Sequence, residues 1–194
     1  MQNMANYASF LENLRVDGPS YTLRSMASTP APCPTALCGV WKQDRSRCES
    51  LCPLLEGLGL PKSLLWAACP VADATHTTLR ISCPSKDEIE IVDKTVFGRN
   101  ATRVPLDGNE TLHFSKGRGK TFMLSGAPSA DGFDLNCRLV SRGDGWHTRQ
   151  ERSVDATGEV LVERHVLVRP GKDNVVVQRL FTRTVEELRS VPPA

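Results

Sequence analysis

Two hydrophobic periods divide this chain of 194 residues. Tyr7, Phe10, Leu11 and Leu14 stand at i, i+3, i+4 and i+7, which predicts one stripe of a short amphipathic helix that Gly18-Pro19 must end. So short a helix does not hold itself together in water, so it must dock or melt. Thr29-Pro30-Ala31-Pro32-Cys33-Pro34 then predicts an extended, proline-stiffened linker. From Gly39 the texture changes. Gly39-Val40-Trp41-Lys42 opens a short strand, and Ser46 with Glu49 three residues on has capping-box spacing. Leu51, Leu54, Leu55 and Leu58 supply the stripe of the helix that follows, and Gly59 its stop. Pro53 falls near its first turns, where a missing N–H matters least. Pro61 to Cys69 predicts a second helical turn or two, bounded by Pro70.

After Pro70 the period becomes two. Alternating runs at Thr75–Cys83, Ile89–Val96, Thr111–Ser115, Thr121–Ser125, Phe133–Ser141, Trp146–Val154, Glu159–Val168 and Val175–Arg183 are separated by turn chemistry. The punctuation is Ser85-Lys86-Asp87, Asp107-Gly108 (a hairpin signal), Lys116-Gly117-Arg118-Gly119, Asp131-Gly132, Gly143-Asp144-Gly145, Ala156-Thr157-Gly158 and Pro170-Gly171-Lys172-Asp173. With the opening strand this makes about ten strands spaced near ten residues, with a helical insert after the first. Hairpin-length links exclude a parallel α/β sheet. A meander of this kind avoids bare edges best by closing into a barrel. The predicted fold is therefore all-β: a ten-stranded antiparallel up-and-down barrel over about 37–184 with a helical lid after its first strand, an N-terminal extension over 1–36, and a tail over 185–194.

Composition narrows the class. The chain is 40% hydrophobic and 24% charged, enough for a core, and its net charge of +2 argues for neither a nucleic-acid nor a membrane-surface partner. The best apolar run, Leu64-Leu65-Trp66-Ala67-Ala68-Cys69, is too short to cross a bilayer. No charged n-region precedes an apolar h-region, so no secretory signal is expected, and the sequons at Asn100 and Asn109 read as chance. Seven cysteines, an odd number without repeating spacing, predict reduced thiols in a cytoplasmic setting rather than a disulfide framework.

The chemistry of catalysis is missing. Lys116-Gly117-Arg118-Gly119-Lys120-Thr121 resembles a phosphate loop only superficially, because Phe114 stands where its first Gly belongs and the segment lies in a hairpin. There is no Gly-x-Ser-x-Gly elbow and no Gly-x-Gly-x-x-Gly after a strand. His76, His113, His147 and His165 fall about one to a strand. Cys48 and Cys52 are four apart, but two ligands make no zinc site, and they read as small buried hydrophobes. No metal, no cofactor and no enzymatic activity are expected; a binder fits better.

Three stretches carry a resemblance. Gly39-Val40-Trp41-Lys42, then Leu55 and Leu58-Gly59-Leu60-Pro61, and at the far end Val177-Gln178-Arg179-Leu180-Phe181, resemble the intracellular lipid-binding protein family of fatty-acid- and retinoid-binding proteins, in order and spacing across about 39–183. The resemblance implies a barrel lidded by a helix-turn-helix with a fatty acid or similar amphiphile inside. It also implies a carboxylate anchor made of an inward arginine two strands before the end, here Arg152 in Gln150-Glu151-Arg152, and a last-strand arginine, here Arg179. The family's last-strand tyrosine is Phe181, and a buried acceptor left without its hydroxyl costs about 1–3 kcal/mol. Residues 1–36 have no counterpart in the compact members of the family.

Strand periodicity bears on the same residues. Thr148, Gln150, Arg152 and Val154 share a face, as do Val160, Val162, Arg164 and Val166, and Val175, Val177, Arg179 and Phe181. If those faces line the interior, three guanidiniums point into the lumen, and buried cations demand an anion or water. Val176 and Leu180 are nearly as apolar as their neighbours, so alternation leaves the inward face of the last strand open. Trp41 and Phe97 read as core. The expected function is a non-catalytic carrier for a fatty acid or similar hydrophobic anion, bound by Arg152, Arg179, Phe181, Arg164 and Gln150. The alternative is an interaction subunit that reuses the barrel as a rigid block and docks on a protein partner through residues 1–36.

Overall fold

The computed structural model describes residues 20–22, 34–96, 98–115, 120–129, 132–139 and 146–184. The amphipathic stripe from Tyr7 to Leu14, nearly all of the proline linker, the basic turn at 116–119, Phe97 and the tail 185–194 lie outside them.

Among the described residues eleven strands form one antiparallel sheet. They are β1 (Ser20–Thr22), β2 (Gly39–Gln43), β3 (Thr78–Ser85), β4 (Glu88–Thr95), β5 (Gly98–Pro105), β6 (Thr111–Ser115), β7 (Lys120–Ser129), β8 (Gly132–Leu139), β9 (His147–Val154), β10 (Val160–Val168) and β11 (Val175–Thr184). Neighbours run β1-β6-β7-β8-β9-β10-β11-β2-β3-β4-β5, so the last strand returns to pair with the first barrel strand, Arg183 opposite Trp41. Ten strands, β2–β11, thus wrap into a nearly closed barrel, and β1 adds to β6. A barrel leaves few unpaired strand edges, which is why a chain of hairpins this long folds back on itself.

Two predicted features of the meander change. Gly98–Pro105, which hydrophobic alternation did not single out, is a strand, and its inward residues Asn100 and Thr102 are polar while Val104 is apolar. The Asp107-Gly108 hairpin signal does not make a hairpin: β5 and β6 are not hydrogen-bonded neighbours. Gly108, at φ 73°, instead sends its N–H to the Gly126 carbonyl of β7 at 3.1 Å, tying the β5–β6 loop to the strand beyond β6.

The lid follows β2 as two helices, α1 (Cys52–Gly57) and α2 (Lys62–Ala74). The first helix starts later than its capping box predicts, because tertiary hydrogen bonds outcompete the local cap. Ser46 Oγ bonds Asp44 at 2.6 Å, and Glu49 pairs with β11, its carboxylate accepting the Gln178 N–H at 2.6 Å and its own N–H reaching the Gln178 carbonyl at 3.0 Å. The start of α1 is capped from elsewhere: Asp73 of α2 accepts the Leu51 N–H at 2.8 Å, and Ser50 Oγ the Cys52 N–H at 3.1 Å. Pro53 does sit in the first turn. Pro70 does not end α2, which runs four residues past it. The lost N–H and ring clash cost about 3 kcal/mol in a free helix, and burial of Ala68, Cys69 and Ala72 in the lid core offsets that.

The thiols are not all reduced. Cys52 and Cys69 form a disulfide that joins the two lid helices, with Cα atoms 5.1 Å apart, and Cys83 is also disulfide-bonded. Cys48 lies ahead of the helix, where its sulfur accepts the Leu180 N–H at 3.3 Å. The core sits mainly at the closed end, around Trp41, Ile81, Ile89, Phe133, Leu161 and Phe181. A smaller cluster of Leu54, Leu167 and Val177 packs α1 onto the other end of the β10–β11 hairpin. Between them lies a space that is not filled.

Candidate functional site

The polar end of that space is laid down by a turn. Asp155 accepts from Thr157 Oγ1 at 2.8 Å and from the backbone N–H groups of Val160 and Glu159 at 3.1 and 3.2 Å, and Gly158 supplies the φ of 79° the turn needs. These bonds, that from Thr157 first, hold the Asp155 carboxyl below its ordinary range. The turn fixes register: Arg152 on β9 stands directly opposite Glu163 on β10, and Glu163 directly opposite Arg179 on β11. Directly opposed residues of an antiparallel pair share a face. Arg152, Glu163 and Arg179 therefore go inward together, and Arg164 must go out.

The burial follows that rule. Arg152 is 4% exposed, Glu163 3% and Arg179 8%, whereas Arg164 lies on the outer surface with Nη1 2.8 Å from Glu151 Oε2. Val160, Val162 and Arg164 of the predicted face thus do not point into the lumen, while Leu161, Glu163, His165 and Leu167 do; Val166, the fourth of that face, is nonetheless buried and lines the cavity. Arg164 drops out of the site. Glu163, which sequence reasoning passed over, enters it. The turn signal at Ala156-Thr157-Gly158 does not reach it unaided, for a turn centred on Thr157 would set Arg152 against Val162; the loop takes in Glu159 as well, Asp155 meeting Val160, and that one-residue difference brings Glu163 opposite Arg152.

Arg152 Nη2 donates to Glu163 Oε1 at 2.6 Å and to Gln150 Oε1 at 2.8 Å, while its Nε and Nη1 have no partner. His165 Nε2 lies 2.8 Å from the other oxygen of Glu163. Burial pushes the Glu163 carboxyl up, but the charge of Arg152, with His165 and Arg179 behind it, outweighs that and holds it far below the carboxylate range. Arg179 Nη2 reaches Thr77 Oγ1 at 3.4 Å, and its guanidinium lies 5.8 Å from the Phe181 ring. Phe181 itself is fully buried in the closed-end core, so it supports Arg179 rather than lining the space.

Arg152, Arg179, Gln150, Glu163 and His165 line a cavity of about 220 Å³. Leu54 and Leu55 of the lid, Leu79, Ile91, Leu124 and Leu135 make its apolar wall. Polar groups of the missed strand β5 complete it, with Asn100 Nδ2 3.4 Å from Asp93. The cavity's thiol, Cys137, is pushed up to about 12 by burial, against a lowering bond from Thr148, so it stays protonated and a poor nucleophile. Among the described residues no cluster of three acidic, histidine or cysteine side chains could hold a metal, and no helix is long and apolar enough to cross a membrane.

No family model matches this sequence, and no curated protein matches it. Solved structures do. The Echinococcus granulosus fatty-acid-binding protein 1 superposes with a TM-score of 0.57 at 13% identity, over 77% of this chain and 98% of its own. As-p18, an extracellular fatty acid binding protein, superposes at 0.58 with 14% identity, over 79% and 100%. The fold is that of the fatty-acid-binding proteins. An SAHS protein of Ramazzottius varieornatus shares it at a TM-score of 0.59 and 14% identity, over 81% of this chain and 100% of its own. With identities this low the fatty-acid-binding-protein fold is read from strand order and the inserted lid, which the opening and closing motifs of the sequence already implied.

Proposed function

We propose that this chain is a non-catalytic carrier for a fatty acid or similar hydrophobic anion, held with its tail against the apolar wall and its head at Arg152 and Arg179. The observation that carries the reading is the pair of buried guanidiniums in a cavity whose wall combines the apolar side chains of Leu54, Leu55, Leu79, Ile91, Leu124 and Leu135 with polar groups of β4, β5 and β9. Such an arrangement suits an amphiphile, and the planar fork of arginine suits a carboxylate. At about 220 Å³ the cavity falls below the roughly 300–1,000 Å³ of typical small-molecule pockets, so a compact ligand fits best and a longer one requires the lid to shift. An open lumen also weighs against the barrel serving only as a scaffold block.

The Cys52–Cys69 bridge favours an oxidising compartment over the cytoplasm that the odd cysteine count pointed to. The test of the carrier reading is titration with a fluorescent fatty acid. Saturable binding that weakens with Arg179→Ala supports it; no saturation, or indifference to Arg179→Ala, ends it.

A further inference from the structure

We propose that Glu163 sets the charge of the head group this cavity accepts, restricting it to one negative charge, as on a monocarboxylate. The inference rests on the carrier reading and adds to it a residue that selects among anions. Arg152, Glu163 and Arg179 form a cross-strand row on three consecutive strands. Without Glu163 the row would present two buried positive charges, a match for a dianion such as a phosphate monoester. Glu163, with its carboxylate 2.6 Å from Arg152, cancels one of them.

What remains is specific. Arg179 is 8% exposed, and among the described residues its side-chain hydrogen bond is the 3.4 Å contact to Thr77, so its charge is offset only through space by Glu163 opposite it and by no hydrogen-bonded acid. A buried cation in that position is stabilised by an anion. Arg152 is engaged on Glu163 and Gln150 through Nη2, and its unpartnered Nε and Nη1 are completely covered, so it offers a head group donors without spare charge only once its guanidinium turns toward the cavity. A carboxylate has one oxygen for each arginine. A second negative charge would meet Glu163, with His165, already held on Glu163, as the remaining side chain beside it that could offset it. An uncharged head would leave Arg179 unpaired. His165, on the second oxygen of Glu163, and Gln150, on Arg152, hold the pair in place, so Glu163 does not swing away to admit a competitor.

The experiment is calorimetric titration of the full chain with decanoate, decyl phosphate and decanol, at about pH 7.5, where a phosphate monoester is mainly dianionic. Decanoate is expected to bind tightest, by about tenfold or more over each of the others. Glu163→Gln should shrink the preference for decanoate over decyl phosphate about tenfold while moving decanol less than about threefold, and Glu163→Asp should keep the wild-type order. Decyl phosphate matching decanoate on the wild-type protein overturns the proposal. So does a Glu163→Gln variant that weakens all three by a common factor, which is what a purely structural role would do. Thermal melting shows whether Glu163→Gln is folded; if it is not, the wild-type ranking decides alone. If none of the three binds, the carrier reading itself fails and the role of Glu163 goes with it.

Discussion

Arg183 closes the seam where the chain's end meets its beginning. Its guanidinium donates to the carbonyls of Gly158, Cys38 and Ala36 at 2.8, 2.9 and 2.9 Å and lies 4.2 Å from the Trp41 ring. Only a planar fork reaches three carbonyls and a ring face at once, so Arg183→Met is expected to lower stability by about 2–3 kcal/mol and Arg183→Lys to recover little of it. Urea midpoints with unchanged slopes would check this. Glu163 makes a different kind of contribution, one that depends on pH. Its carboxyl is held below the ordinary range in the folded state, so its stabilisation is complete above about pH 4.3 and is lost as pH falls further towards the folded value. Melting curves should therefore show Glu163→Gln less stable than wild type at neutral pH, because it strands the Arg152 charge, and the gap should narrow on acidification below that point. A gap independent of pH would mean that the lost contact is steric.

The lid behaves as one element because it is stapled. Cys52 and Cys69 close a loop of 17 residues, and Asp73 of α2 caps the start of α1. In the chain-entropy picture a loop of that size contributes about 3 kcal/mol, so Cys52→Ala/Cys69→Ala should lower the urea midpoint correspondingly, and a dithiol, which also reduces the bridge of Cys83, should lower the wild type at least as far. Gly57 seats α1 on the barrel: a Cβ there would lie 2.9 Å from Leu167 Cδ2 and 3.1 Å from Val175 Cγ2. The existence of this lid was legible from leucine spacing, and Pro53 marked its start well. Its boundaries were not, for a physical reason. Glu49 and Ser46 offered a local cap, but Glu49 bonds to Gln178, 129 positions away, and no local pattern encodes that competition. The disulfide was hidden likewise, because an odd number of cysteines leaves the pairing to tertiary approach.

At the scale of the whole molecule, legibility follows burial. Strands whose inward faces enter the packed core, such as those carrying Ile89 and Ile91 or Leu161, alternate visibly in the sequence. Strand β5 puts Asn100 and Thr102 into the cavity instead, so its alternation vanishes and it escaped notice. The polar end was half legible for a related reason. Resemblance found Arg152 and Arg179, but only strand register, which single-strand periodicity ignores, brings in Glu163 and turns Arg164 out. The same absence of pairing explains how the barrel shuts. Because β5 and β6 are not hydrogen-bonded, the seam is held by side chains, with Val104 of β5 and Phe133 of β8 both crowding onto Gly126 of β7. A Cβ at Gly126 would lie 2.6 Å from Val104 Cγ1 and 2.7 Å from Phe133 Cζ, and both neighbours are completely buried with nowhere to retreat. Gly126→Val is therefore expected to cost about 1–3 kcal/mol by overpacking and to pry the seam apart. Hydrogen exchange of the Gly108 amide, which ties the loop beside the seam to Gly126, should rise more than that of the β9–β10 hairpin. Equal acceleration in both places would show that the seam is not where this barrel is weakest.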